Sequence, residues 1–126
     1  MNTGHNLQIH LNPEQSEEIL LMLEKTERQI QECLSILEVR GAVREVRHPK
    51  DVPLPFDDEH KQQFIDHTCF MVHESERMFL TLKEYEYVTL GYISKWNKIN
   101  RWLGYIQSNF VTLGWITIGN ARDTNR

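Results

Sequence analysis

Apolar positions recur at steps of three and four along most of this chain, the period of one face of an α-helix. The longest run is Tyr85, Val88, Tyr92, Trp96, Ile99, Leu103, Ile106, Phe110 and Leu113, which predicts a helix over about 82–113. Gly91 and Gly104 lie inside it. Each costs ~1 kcal/mol relative to Ala in a helix interior, so the expectation is a partner helix crossing closely there, with Gly91 the place for a bend. A second stripe is Ile19, Leu20, Leu23, Ile30, Cys33, Leu34 and Leu37, which predicts a helix over about 13–40. Asn12-Pro13-Glu14-Gln15 opens it with a capping residue, a proline suited to the first helical position, and a glutamine able to reach back. Gly41 closes it. At ~1.5 Å per residue that helix is ~42 Å long. This is long for a chain of 126 residues, so part of its stripe is expected to face another chain.

A third stripe, Phe64, Ile65, Thr68, Met71, Val72, Ser75, Met78 and Phe79, predicts a helix over about 57–80, with Asp57, Asp58 and Glu59 at its start. Thr68 and Ser75 thin this stripe, which suggests close helix approach or a slightly wet interior. Residues 68–82 also fit a strand hairpin, so an α+β fold is the alternative. Thr81-Leu82-Lys83-Glu84 has the capping-box spacing and puts the break between the last two long helices at Thr81. Residues 41–56 hold three prolines in seven residues and read as a stiff connector, locally basic through Arg44, Arg47 and Lys50. Leu7, Ile9 and Leu11 alternate in an extended N-terminal arm over 1–11. Residues 114–126 read as a short polar tail anchored by Trp115 and Ile118, with Thr117 placed to cap a last turn. The fold class is therefore a single all-α domain of three principal helices.

Charge sharpens this picture. The net charge is -4, which does not suit double-stranded DNA as a partner, but its distribution is uneven. Residues 1–40 carry seven Glu, whereas 94–126 carry Lys95, Lys98, Arg101, Arg122 and Arg126 against Asp123. Either the two ends face each other, or the basic end meets an anion. Two cysteines, Cys33 and Cys69, do not make a disulfide framework and fit buried thiols in a reducing compartment. No apolar run reaches the ~18 residues of a membrane span. The first residues lack the pattern of a signal peptide, so a cytoplasmic location and no membrane partner are expected.

Candidate chemistry is sparse. His60 and His67 share a helix face, as do Cys69 and His73, and His48 is a third ligand only if the connector folds over. A closed zinc site needs four ligands, and no metal-binding motif is present, so no metal or cofactor is expected. Cys69 with His73 is the best nucleophile-and-base pair, and nothing completes it. The expectation is a protein that is not an enzyme.

What remains is an aromatic and basic combination on the last long helix. Trp96, Ile99 and Leu103 belong to its core stripe, while Lys98, Arg101, Trp102 and Tyr105 come round to other faces. Trp, Tyr and Arg dominate the centres of protein interfaces, so these residues suit a protein partner. With Arg122 they also suit stacking on and neutralising a nucleotide or cyclic nucleotide. A third possibility is a small structural or oligomerisation domain, with the aromatics in its core or a homo-oligomer interface. Under a protein-occluding role, Arg44, Arg47 and Lys50 are secondary candidates.

Asn100-Arg101-Trp102-Leu103-Gly104-Tyr105-Ile106-Gln107, then Leu113-Gly114, Thr117-Ile118 and Arg122-Asp123-Thr124-Asn125-Arg126, resembles the C-terminus of small proteins encoded by tailed phages and prophages. Pro55-Phe56-Asp57-Asp58-Glu59-His60-Lys61 is similar to a stretch of the same group. Ser108 stands where that pattern has Gly. The resemblance implies a bacteriophage origin and supplies no catalytic residue. It leads to the expectation of a cytoplasmic binding protein that modulates a host factor or counters host defence by occluding a host protein, with sequestration of a nucleotide signal as the alternative.

Overall fold

The computed structural model describes residues 10–42, 57–85 and 87–125, with the side chains of 124 and 125 left out. The expected arm lies outside it over 1–9, and so does most of the connector, with Arg44, Arg47, His48 and Lys50.

Helix α1 spans Pro13–Val39. Asn12 Oδ1 accepts the Gln15 backbone N–H at 2.7 Å and Gln15 Oε1 accepts that of Asn12 at 3.0 Å, which satisfies two donors at the helix start. At the other end Gly41 takes φ +66°, a left-handed conformation that glycine adopts without strain. Gly41 N–H then donates to Glu38 O at 3.0 Å and Ala42 N–H to Leu37 O at 2.8 Å.

Helix α2 spans Asp58–Lys83, capped by Asp57, whose Oδ1 accepts the His60 N–H at 2.8 Å. It runs unbroken through residues 68–82, so the hairpin alternative is overturned. Thr68, Met71, Val72, Ser75, Met78, Phe79 and Leu82 all bury at helical spacing. The break placed at Thr81 is corrected as well. Thr81 lies within α2 and its hydroxyl donates to Arg77 O at 3.0 Å, a bond that a mid-helix threonine makes instead of capping. Helix α3 spans Leu90–Thr112 and starts at Thr89, whose Oγ1 accepts the Tyr92 N–H at 3.1 Å. Tyr85 and Val88 therefore stand in the α2–α3 connection and not on α3, and Gly91 sits in the first turn.

Gly114 at φ +73° ends α3 as Gly41 ends α1. Trp115 N–H donates to Phe110 O at 2.9 Å, and the Trp115 ring stacks on Phe110 with centroids 5.7 Å apart. Thr117 and Asn120 then bond reciprocally: Asn120 N–H to Thr117 Oγ1 at 3.0 Å and Thr117 N–H to Asn120 Oδ1 at 3.1 Å. They open a fourth helix, α4, Ile118–Asn125. The tail is thus helical over 118–125 and a turn over 114–117. Trp115 anchors it and Ile118, 62 % exposed, does not.

Side-chain pairs fix the helix directions. Tyr85 meets Tyr92 at one end of α2 and α3, and Asn109 Nδ2 donates to Thr68 Oγ1 at 3.1 Å toward the other, so the two run antiparallel. Trp96 Nε1 donates to Thr26 Oγ1 at 3.2 Å, and further along both helices Cys33 shares a cavity wall with Gln107 and Phe110, so α1 and α3 run the same way. Lys83 reaches Glu27 at 3.6 Å between α2 and α1. The core is Ile30, Cys33 and Leu37 of α1, Cys69, Val72, Phe79 and Leu82 of α2, and Tyr92, Trp96, Ile99, Leu103, Ile106 and Phe110 of α3. The first half of α1 contributes no buried residue before Thr26, and Leu20, Leu21 and Met22 are exposed. No helix of the described residues is long and apolar enough to cross a membrane.

Candidate functional site

Lys98, Arg101, Trp102 and Tyr105 fall at i, i+3, i+4 and i+7 on α3 and so form one stripe. Trp102 is half-buried, packed on the edge of the core with its ring 6.4 Å from that of Phe70 on α2. Lys98 Nζ lies 5.5 Å from the centre of the Trp102 ring, within cation–π range. Arg101 is exposed and Tyr105 is 63 % exposed. No described carboxylate lies within ion-pair distance of Lys98 or Arg101. The face is therefore an indole held at a fixed tilt by Phe70, flanked by two cations and a protruding phenol. Its chemistry is stacking, hydrophobic contact and attraction of carboxylate or phosphate.

The structure brings four of the five principal candidates together and leaves out Arg122. That residue is exposed on α4 and, among the described residues, no hydrogen bond, ion pair or ring contact joins it to the stripe. α4 folds toward α1, where Ile116 and Asn120 line a recess with Cys33. Gly104, expected at a close helix crossing, is exposed and corrects that reading: a Cβ there would meet no atom within 4 Å.

Among the described residues, the sulfur and imidazole groups do not assemble into a site. No group of three or more His, Cys, Asp and Glu side chains among the described residues is placed to hold a metal. Cys69 is fully buried, and burial pushes the Cys33 thiol up to about 12, with the neighbouring Glu32 charge adding to the shift. A thiol held neutral in this way is a poor nucleophile. His60 stays half-exposed with Nδ1 3.0 Å from Asp57 Oδ2. His73 is half-buried, with its Nε2 buried and without a hydrogen-bond partner.

Sequence periodicity alone misses two recesses along the contact between α1 and α3. One, of about 430 Å³, is lined by Cys33, Ile36, Gln107, Phe110 and Ile116, with Arg28 and Glu32 also on its wall. The other, of about 290 Å³, lies between Met22, Thr26 and Gln29 of α1 and Trp96, Leu103 and Gly104 of α3. Gln107 offered a signal: it stands four residues after Leu103 and three before Phe110, a polar residue at the edge of the apolar stripe.

Among the described residues, the fold and these faces define a small all-α protein of three long helices and one short one. Comparison of the chain with protein-family models, with curated proteins and with solved structures returns no match.

Proposed function

We propose that this chain is a non-enzymatic binding protein that docks an acidic protein surface on the Lys98–Arg101–Trp102–Tyr105 stripe. The supporting observation is the half-buried Trp102, braced by Phe70 and Lys98 beside an exposed arginine and tyrosine. A braced indole loses little freedom on binding, and Trp, Tyr and Arg are the residues that carry most interface energy. Two cations without a described carboxylate partner favour a partner that brings its own carboxylates. The resemblance to small tailed-phage proteins makes a host-cell cytoplasmic protein the natural target, and occlusion of its surface the mode of action. The uncovered Leu20, Leu21 and Met22 on α1 belong to the same reading as a self-association face, for which Leu21→Glu should lower the mass seen in sedimentation.

The test is quantitative capture from host lysate with wild type, Arg101→Glu and Tyr105→Ala. The expected outcome is one stoichiometric partner that both variants lose while keeping wild-type helicity and Tm. Recovery of no such partner, or equal recovery by all three proteins, overturns the proposal.

The Lys98–Trp102 pair also supports a second reading, sequestration of a nucleotide or cyclic nucleotide by stacking on Trp102 with Arg101 and Tyr105 alongside. Arg122 stands apart from them on α4. A nucleotide panel at 100-fold over Kd should then stabilise the fold by ~2.7 kcal/mol. A flat thermal-shift panel overturns it.

A further inference from the structure

The recess between α1, α3 and α4 lies away from the basic stripe. Tyr105 and Gln107 are two residues apart, about 200° around α3. Cys33 and Ile36 of α1, Phe110 of α3 and Ile116 from the turn before α4 give its walls an apolar character. Its volume of about 430 Å³ falls within the ~300–1,000 Å³ of small-molecule sites.

Of the polar residues on its wall, which include Arg28, Gln31, Glu32, Ser35 and Asn120, Gln107 alone is buried. Gln107 is 5 % exposed, and its Nε2 is buried without a hydrogen-bond partner. A buried donor left unmade is a standing cost that an incoming acceptor removes. The last torsion of a glutamine is soft, so the amide can turn to meet that acceptor. Arg28 and Glu32 are both exposed where they line the recess, and their opposite charges favour neither a cation nor an anion. The neutral Cys33 thiol adds no charge.

We infer that this recess binds a neutral, apolar small molecule carrying a carbonyl-type acceptor, with Gln107 donating to the acceptor and Ile36, Phe110 and Ile116 covering the apolar body. The inference is independent of the proposed stripe, since the two use different flanks of α3.

The test titrates the full chain with acetylnaphthalene, whose ketone accepts a hydrogen bond, and with ethylnaphthalene, which lacks the oxygen, while backbone amide signals are followed by NMR. Acetylnaphthalene should shift the signals of Cys33, Ile36, Phe110 and Ile116 saturably. Gln107→Met keeps the side-chain length and removes the amide; it should weaken acetylnaphthalene roughly tenfold, the worth of one neutral hydrogen bond, and leave ethylnaphthalene unchanged. Ile36→Trp should block both probes by filling the recess. No saturable shift in the wild type, shifts confined to Lys98–Tyr105, or equal acetylnaphthalene affinity in wild type and Gln107→Met would each overturn the inference. Should Ile36→Trp misfold, the Gln107→Met comparison decides alone.

Discussion

The two flanks of α3 are built differently. Toward α2 the contact is the most extensive of the helix pairs, and small residues, Thr68 and Ser75, let the helices approach. Toward α1 the contact is smaller and holds two recesses, an indole donor bonded to Thr26 and an amide with nothing to bond. The contrast teaches where the stability sits. α2 and α3 form a close-packed hairpin, and α1 lies along it with room to spare. Close-packed interiors tolerate little loss of volume, whereas a wall that already borders empty space loses fewer contacts when trimmed.

The largest test of that contrast compares truncations. Phe79→Ala, deep on α2, should cost about 3–5 kcal/mol in denaturant unfolding, against about 1 kcal/mol for Ile36→Ala on the α1 recess. Equal costs would break the comparison. Alkali should act next, through the buried Cys33 of α1. Its thiol is raised from 9.0 to about 12, so above pH 9 the unfolded chain loses a proton that the folded chain retains. Stability is then full below pH 9 and falls by about 1.4 kcal/mol per pH unit toward pH 12. Burial also raises the Tyr92 phenol, which adds to the same loss. Cys33→Ala should flatten the slope, and an unchanged slope would contradict this account. Thr26→Val leaves the Trp96 indole N–H buried without its acceptor and should cost about 1–3 kcal/mol, with hydrogen exchange rising in α1 before α2 or α3.

The smaller effects run the other way. Ser75 is fully buried and its hydroxyl has no hydrogen-bond partner, so Ser75→Ala should stabilise by about 1 kcal/mol. Gly104 is exposed within α3 with open space around its missing Cβ, so Gly104→Ala should stabilise by ~0.4–1 kcal/mol. Destabilisation instead would reveal a second chain packed on that helix, which sedimentation would register.

Much of this architecture was legible beforehand because its signals are local. Asn12 with Gln15 and the glycine at 41 each act within a few residues, and α1 starts and stops where they direct. The apolar stripe from Tyr92 to Phe110 is buried as its spacing requires. Thr81 misled because a threonine followed three residues later by glutamate looks the same whether the helix begins there or continues. Burial of Phe79 and Leu82 on the same face decided for continuation. Thr89 starts α3 with a tyrosine three residues on, where the capping-box pattern has Glu or Gln. Lys98, Arg101, Trp102 and Tyr105 were recognisable by type and spacing. The bracing of Trp102 by Phe70 joins residues far apart in sequence, and so does the Gln107 recess. No single-helix pattern contains either.

The reciprocal Thr117–Asn120 cap has a consequence for timescale. Eight residues are too few for a helix to persist unaided in water, where ~12–15 are already marginal. α4 therefore survives through its cap and through the Trp115 ring stacked on Phe110. Its amides should exchange with solvent long before the global unfolding that exposes those of α2. Deuterium uptake at 118–125 becomes a clock for Trp115 undocking, one that ticks independently of the folded core.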